Sequence, residues 1–366
     1  MKIKLLGKNL DELKKVVAEA GLPGFTAKQI AQWLYVKKVR SIDDMTNLSK
    51  AARATLSEKY EVGLTEYSMV QASVDGTKKY LFPVSCTHKK GLNLGCSAAV
   101  KESELENSSI EAVMIPDGER ATLCVSSQAG CKMGCKFCMT GTLGFQGQLS
   151  AADILNQIFY FDLAADNQVI DGALTNIVYM GEGEPMDNLD AVLRSLNVLT
   201  KEWGCAWSPK RITVSSVGYM PGLKRFLEES ECHLAISLHN PFGAERQEVM
   251  PIEKRYHLTE VVELLKQYDW THQRRISFEY ICWYNQNDTI RHAKELLRLL
   301  KGLPCRINLI RFHAGVDATF PGSNERQMEW LRDYLTAGGI TTTIRRSRGE
   351  DILAACGMLV NSLKEK

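Results

Sequence analysis

Three cysteines stand within eight residues of this 366-residue chain, in Cys131-Lys-Met-Gly-Cys135-Lys-Phe-Cys138. Thiolates spaced C-x3-C-x2-C can wrap three corners of an iron–sulfur cube, for which cysteine is the usual ligand. Three ligands on a four-iron cube leave one iron open. An open iron can chelate the amino and carboxylate groups of S-adenosylmethionine, and reduction then cleaves the sulfonium to a 5′-deoxyadenosyl radical. Zinc is the competing reading, but zinc sites more often use paired C-x2-C units or added histidines. The sequence has no second C-x2-C, and no histidine follows nearby.

Other residues could complete such a site. Met180-Gly-Glu-Gly-Glu-Pro185 carries two glycines that admit a ligand close to the backbone, Gly183 among them, and Glu184 offers an acceptor for an amine. Ser215 ends one strand-like run and could bond to a ribose or a carboxylate; Ser237-Leu238-His239 closes the next in the same way. A lone serine at a strand end is usually structural, so these groups gain weight only by sharing one rim. The chain has eleven cysteines, an odd number that reads as thiols rather than a disulfide scaffold. Cys205, Cys232, Cys282 and Cys305 lie in or beside apolar runs and read as small buried hydrophobes. Cys124 and Cys356 are different. Cys124 precedes the triplet by seven residues, and the glycines and charges of Arg348-Gly-Glu-Asp-Ile-Leu-Ala-Ala-Cys-Gly357 predict an exposed loop around Cys356.

The elements that must position these residues follow from pattern. Residues 121–126, 176–180, 211–216, 233–239, 276–282 and 305–312 read as strands, with a last strand at 340–345. Helical periodicity fills 150–161, 189–200, 223–229, 258–268, 290–300 and 325–337. This alternation implies parallel strands with crossover helices, an α/β barrel or open α/β sheet whose chemistry gathers at the C-terminal strand ends. Residues 1–65 form a helical module of a kind that often docks on RNA or DNA, though a packing module reads equally well. Asn9 caps its first helix, Thr26 with Gln29 makes a capping box, and a third helix spans 50–60. Residues 66–116 are expected to link this module to the larger domain, with a hairpin at Asp75-Gly76. The barrel then spans 117–346, and 347–366 forms a C-terminal segment. Hydrophobic residues make up 45% and formal net charge is only +2, so a sizeable core is expected and any nucleic-acid footprint must be local. No run approaches the roughly 20 apolar residues that span a bilayer, and the N-terminus lacks the apolar stretch of a signal peptide. A cytoplasmic protein with no membrane partner is the expectation.

At these residues the sequence resembles the RlmN/Cfr family of radical-SAM RNA methyltransferases. The resemblance covers nearly the whole chain. It rests on Ala121-Thr-Leu-Cys-Val-Ser-Ser-Gln128, the cysteine triplet, Gly181-Glu-Gly-Glu-Pro185, Ile236-Ser-Leu-His239, Ile307-Asn-Leu-Ile310 and Asp351-Ile-Leu-Ala-Ala-Cys-Gly357. It implies a partial (β/α)6 radical-SAM barrel, a [4Fe–4S] cluster on Cys131, Cys135 and Cys138, and two S-adenosylmethionine molecules per turnover. Gly183, Glu184, Ser215, Ser237, Leu238 and His239 are then contacts to S-adenosylmethionine. By the same resemblance Cys356 accepts a methyl group, the radical takes a hydrogen from it, and the resulting methylene adds to an adenine. Cys124 would release the product by forming a disulfide with Cys356, and Glu111 would take the ring proton. Members often show Pro-aromatic-Asn-Pro after the Ile307 run; here Arg311-Phe-His-Ala314 stands instead, and His313 is expected to fill the asparagine's place.

The implied substrates are adenosine 2503 of 23S rRNA and adenosine 37 of some tRNAs, with an electron donor such as a flavodoxin and a monomeric enzyme. Phe25-Thr-Ala-Lys-Gln-Ile-Ala-Gln-Trp33, Asp43-Asp-Met-Thr-Asn47 and Gly141-Thr-Leu-Gly-Phe145 look more like the branch that methylates C2. Methylation of C8 is the alternative, because both branches share the reactive cysteines. A radical enzyme acting on a small molecule and a zinc-dependent RNA-binding protein are the rivals from other classes. Candidate phosphate contacts are Lys89-Lys90, Lys210-Arg211, Lys224-Arg225, Arg274-Arg275 and Arg345-Arg346 with Arg348, each pair by itself more in keeping with a solvated face.

Overall fold

Asn9 caps the first helix for a local reason. In the computed structural model, which describes residues 2–84, 108–164, 173–270, 275–313 and 321–359, a short strand β1 (Ile3–Lys4) leads into α1 (Leu10–Glu19). The Asn9 side chain accepts from the Glu12 N–H, and Glu12 returns a bond to the Asn9 N–H, satisfying two helix-end donors. The expected Thr26–Gln29 capping box does not form. Helix α2 (Thr26–Ala31) starts at Phe25, which makes no side-chain cap, and Thr26 lies buried inside the first turn. Packing of that turn overrides the local signal. A π-helical turn (Gln32–Val36) follows and buries Trp33, Leu34 and Tyr35. Tyr35 meets the rings of Phe159 and Trp203 at 6.0 and 5.9 Å, so the module packs directly on the rest of the chain. Helix α3 (Lys50–Lys59) and β2 (Tyr60–Glu61) close the module, with β2 parallel to β1.

The Asp75-Gly76 hairpin joins β3 (Met69–Ala72) to β4 (Lys78–Val84), and Gly76 adopts φ +84°, which favours glycine. Strand β4 pairs with β5 (Ser108–Asp117), and β5 with β6 (Arg120–Cys124), all antiparallel. The stretch expected to be a linker therefore adds three strands to the main sheet. Strand β5 is apolar on both faces, as Ile110, Ala112, Val113 and Met114 show, and needs cover on each.

After β6 come a small ribbon of β7 (Gln128–Gly130) and β8 (Phe145–Gln148), enclosing α4 (Met139–Leu143). Strand–helix alternation then runs α5 (Ala151–Ala164), β9 (Ala173–Tyr179), α6 (Leu189–Thr200), β10 (Ile212–Ser216), α7 (Met220–Glu229) and β11 (His233–Ser237). It continues through α8 (Gly243–Val249), α9 (Leu258–Leu265), β12 (Ile276–Cys282), α10 (Ile290–Leu299), β13 (Cys305–Arg311), α11 (Glu325–Ala337) and β14 (Thr341–Arg345). Seven strands, β6 and β9 to β14, are parallel and lie side by side in sequence order, with β14 and β3 at the two edges. The sheet is thus an open, partial barrel extended by antiparallel strands. Its inner strands read as near-continuous apolar runs, such as Leu234-Ala-Ile236 on β11, because both faces are covered. Cys232 and Cys282 are buried, and Cys205 and Cys305 pack against the same core, as expected of bland thiols. Cys86, Cys96, Lys89-Lys90 and Arg274 lie outside the described residues. No helix among the described residues is long and apolar enough to cross a membrane.

Candidate active site

The cysteine triplet occupies the loop between β7 and α4, beside the C-terminal end of the first parallel strand. Its backbone is tied from three sides: Cys131 N–H donates to the Gly144 carbonyl at 3.0 Å, Lys136 N–H to Val249 at 3.0 Å, and Cys138 N–H to Cys135 at 3.1 Å. Helix α4 lies against the loop so closely that a Cβ on Gly141 would stand 2.9 Å from the Cys135 carbonyl oxygen. All three thiols line one inner cavity of about 140 Å³. Among the described residues no three His, Cys, Asp or Glu are placed to hold a single metal ion. A cuboidal cluster binds each thiolate on a separate iron, so its ligands stand farther apart than those of one ion. Three soft thiols on one cavity wall fit that donor set and do not fit a mononuclear zinc site. Burial raises all three thiols, so a bound cationic group would be needed to hold them ionised.

The opposite wall of this cavity comes from the strand ends. Gly183, Glu184, Ser215, Ser237 and His239 line it. Burial pushes the Glu184 carboxyl up to about 7, although the Val217 and Met186 N–H groups donate to it at 2.9 and 3.1 Å. Burial, aided by Arg246, pushes the His239 imidazole down to about 3. His239 Nδ1 accepts from the Ile281 N–H at 3.0 Å, so the neutral ring carries its proton on Nε2. Leu238 is fully buried in the core, and among the described residues it is not on either cavity wall; only its main chain serves the site. Its carbonyl accepts from Arg246, a fully buried side chain that also donates to Ser237 and Val217 carbonyls and pairs with Glu253 at 2.5 Å. Arg246 thereby fixes two strand ends, and nothing in its sequence neighbourhood announces this.

A second, outer cavity of about 290 Å³ shares Cys138, Met180, Arg345 and Cys356 with the first. Cys124 lines only the outer one. Both Cys124 and Cys356 are free thiols, and Cys356 is exposed as expected. Burial, reinforced by Cys356, pushes the Cys124 thiol up to about 12. Cys356 is also raised by its surroundings, but the Arg345 guanidinium opposes that rise. Arg345, expected to contact phosphate, turns instead towards Glu279 at 3.4 Å and borders both cavities. His313 lines the outer cavity, not the inner one, and pairs with Ser347 and with Glu350 at 3.3 Å. Glu111 is buried on β5 and ion-paired with Lys79 at 3.0 Å. It shares a β5 face with Val113 and Ile115, and Ile115 borders the outer cavity, whereas Glu111 is on neither cavity wall among the described residues. Glu182 accepts from the Glu111 N–H at 2.8 Å and from Gly130 at 3.2 Å.

Comparison with known proteins identifies the assembly. Residues 3–62 match the ribosomal RNA large subunit methyltransferase N-terminal domain, and residues 125–300 match the radical SAM superfamily. A probable dual-specificity RNA methyltransferase RlmN of Bacteroides thetaiotaomicron is 54% identical over 365 residues, covering 100% of this chain and 98% of its own length. The chain belongs to the RlmN family. The RlmN of Halorhodospira halophila, a dual-specificity RNA methyltransferase, is 37% identical and covers 99% of this chain and 95% of its own length. A crystal structure of a radical SAM methyltransferase from Sphaerobacter thermophilus superposes with a TM-score of 0.85 at 34% identity, covering 97% of this chain and 98% of that one. As a radical-SAM protein of the RlmN family, the chain works with a [4Fe–4S] cluster and S-adenosylmethionine. Of the predicted site residues, the fold brings together Cys131, Cys135, Cys138, Gly183, Glu184, Ser215, Ser237, His239, Cys124, Cys356 and, on the outer rim, His313.

Proposed function

We propose that this RlmN-family protein methylates C2 of adenosine 2503 in 23S rRNA and of adenosine 37 in some tRNAs. The observation that carries the reading is Cys356, which borders the inner cavity with the cysteine triplet and the outer cavity with Cys124. Cys131, Cys135 and Cys138 would hold the cluster, which supplies the electron that converts S-adenosylmethionine to methionine and a 5′-deoxyadenosyl radical. Glu184 accepts from the amino group of S-adenosylmethionine, while the Gly183 backbone, Ser215, Ser237 and the Nε2–H of His239 orient it.

Cys356 acts first as a nucleophile. Its thiolate takes the methyl group of one S-adenosylmethionine and releases S-adenosylhomocysteine. The radical from a second molecule removes one hydrogen from that S-methyl group, and the carbon radical adds to adenine C2. The adduct then gives up one electron to the cluster oxidised in the cleavage step, and Glu111 takes the C2 proton. Cys124 thiolate attacks Cys356 Sγ, the S–CH2 bond breaks towards carbon, and a proton completes the new methyl group. A thiol reductant must then reopen the Cys124–Cys356 disulfide. For Glu111 to serve, its pairing with Lys79 has to open when RNA binds.

Mass spectrometry of rRNA and tRNA from a deletion strain tests this assignment. The expected result is loss of 2-methyladenosine, restored by the gene; loss of 8-methyladenosine instead would overturn it.

A further inference from the structure

The segment that carries Cys356 leaves β14 without regular structure beyond one 3-10 turn (Glu350–Ile352). It is nevertheless tied at both ends. At the far end, Met139 N–H donates to the Gly357 carbonyl at 2.8 Å and the Thr140 hydroxyl to Leu359 at 2.9 Å. Both donors belong to α4, which Cys138 immediately precedes. At the near end the partners come from the turn between β3 and β4, 274 to 278 residues earlier in the chain. Gly349 N–H donates to Asp75 Oδ2 at 3.0 Å, and Asp351 accepts from the Ser73 hydroxyl at 2.5 Å and the Val74 N–H at 3.2 Å.

The turn itself is braced. Ser73 N–H donates to the Thr77 carbonyl at 2.8 Å, and Thr77 N–H to Asp75 Oδ1 at 2.9 Å. The fit is close: Gly349 sits at φ +64°, and a Cβ there would stand 2.9 Å from Thr77 Cγ2. Both carboxylates stay ionised at neutral pH. Burial raises Asp75, but backbone and hydroxyl donors from Thr77, Gly349 and Ser73 win and bring it to about 2. The Ser73 hydroxyl lowers Asp351.

We propose that the turn at 73–77 is a latch that holds the Cys356 segment in register with both cavities, and that Asp75 and Asp351 are positioning residues for methyl transfer. The inference rests on the reading of Cys356 as methyl acceptor. A reacting sulfur on an irregular loop needs its freedom removed before it can meet S-adenosylmethionine in line. Helix α4 hydrogen-bonds only residues after Cys356; before it, Ser347 and Glu350 meet His313, Arg348 approaches Asp117 at 3.7 Å and Leu353 and Ala355 pack with Met139, but it is the turn that holds the Gly349 N–H and the Asp351 carboxylate. The extra strands β3 to β5 thereby gain a task at the site, although none of them lies among the parallel strands.

The test uses cluster-loaded enzyme without RNA. The S-methylation rate of Cys356 by S-adenosylmethionine is followed by peptide mass spectrometry, and alkylation of Cys356 by iodoacetamide is followed without S-adenosylmethionine. Asp351→Ala and Ser73→Ala remove the same bond from opposite sides; Asp351→Asn and Ser73→Thr keep an acceptor and a hydroxyl. For both alanine variants the rate of methylation is expected to fall by between about ten-fold and the roughly 10²-fold that a 1 Å misplacement can cost. KM for S-adenosylmethionine stays unchanged, alkylation of Cys356 speeds up, and the conservative variants recover most of the rate. Methylation within two-fold of the parent in both alanine variants would overturn the latch. If either of these alanine variants fails to fold or to hold iron, Asp75→Ala, which removes the acceptor of the Gly349 N–H, is measured in its place, and methylation within two-fold of the parent there would overturn the latch. Absence of methyl on Cys356 in the parent enzyme would instead sink the methyl-acceptor reading, and the alkylation arm would still judge the latch.

Discussion

Arg345 leaves the last parallel strand, reaches Glu279 at 3.4 Å, and opposes the rise that burial imposes on the Cys356 thiol. An Arg345→Met variant should therefore have a Cys356 thiol that ionises at higher pH. The pH profile of iodoacetamide alkylation should move upward and the rate at pH 8 drop several-fold, because each pH unit removes roughly ten-fold of the thiolate; an unchanged profile would remove Arg345 from this role. Glu182 makes a different prediction. Burial raises its folded carboxyl to about 8 against an ordinary value of 4.5. The folded state thus keeps a proton that the unfolded chain releases. That contribution is complete below pH 4.5 and is lost as pH rises through 8. His239 works in the other direction: its folded value near 3 lies below the ordinary 6.5, so its contribution is present above pH 6.5 and lost as pH falls towards 3. Between pH 7 and 8, above the Glu184 value of about 7 as well, Glu182 is the one of these three groups still losing its contribution. The melting temperature should decline across that window, and Glu182→Gln should flatten the decline; parallel curves for the two proteins would refute the account of Glu182.

At the scale of elements, the triplet loop depends on α4 lying against it. In Gly141→Ala the new methyl would stand 2.9 Å from a backbone carbonyl, which cannot move like a side-chain tip. Iron content and the broad absorbance of the reconstituted protein should fall several-fold, while far-ultraviolet circular dichroism stays close to the parent. Full iron loading in this variant would show that the loop tolerates displacement. This dependence was hidden in the sequence, where Gly141 carries only a family resemblance. The parallel strands were legible because burial on both faces writes long apolar runs, and the α6 and α11 ranges match the predicted periodicity. The grouping of Cys131, Cys135 and Cys138 on one cavity wall was legible too, because it follows from their spacing. Arg246 was not, because its partners Ser237, Val217 and Glu253 come together only in the folded chain. The Thr26 cap failed for a similar reason: tertiary burial decided where α2 begins. Leu238 and His313 were expected at S-adenosylmethionine. The alternation of side chains turns Leu238 into the core, and His313 borders the outer cavity beside Ser347.

For the whole molecule, a net charge of +2 conceals a local concentration of cations. Arg311, Arg345, Arg346 and Arg348 all border the outer cavity, with Arg311, Arg345 and Arg348 beside Glu325, Glu279 and Asp117, and Arg225, once a candidate phosphate contact, is taken up by Asp190 and Glu229. An RNA phosphate near this rim would meet Arg346, which is exposed. Arg346→Ala should weaken RNA binding and reduce the slope of log Kd against log salt by about 1, without slowing S-methylation of Cys356. An unchanged salt slope would move the RNA footprint elsewhere. Under the proposed function a target adenine would have to leave its stack to reach a cavity of about 290 Å³, so unpaired or weakly stacked adenines should react fastest.

The passage of the methyl group through Cys356 is tested most directly by preloading. The enzyme is incubated with S-adenosylmethionine bearing a deuterated methyl group, freed of it, and then given RNA, reductant and unlabelled S-adenosylmethionine for a single turnover. The account predicts deuterated methyl on Cys356 before RNA is added and deuterium in the first 2-methyladenosine formed. Unlabelled product from an enzyme carrying label on Cys356, or no label on Cys356 at all, would contradict it.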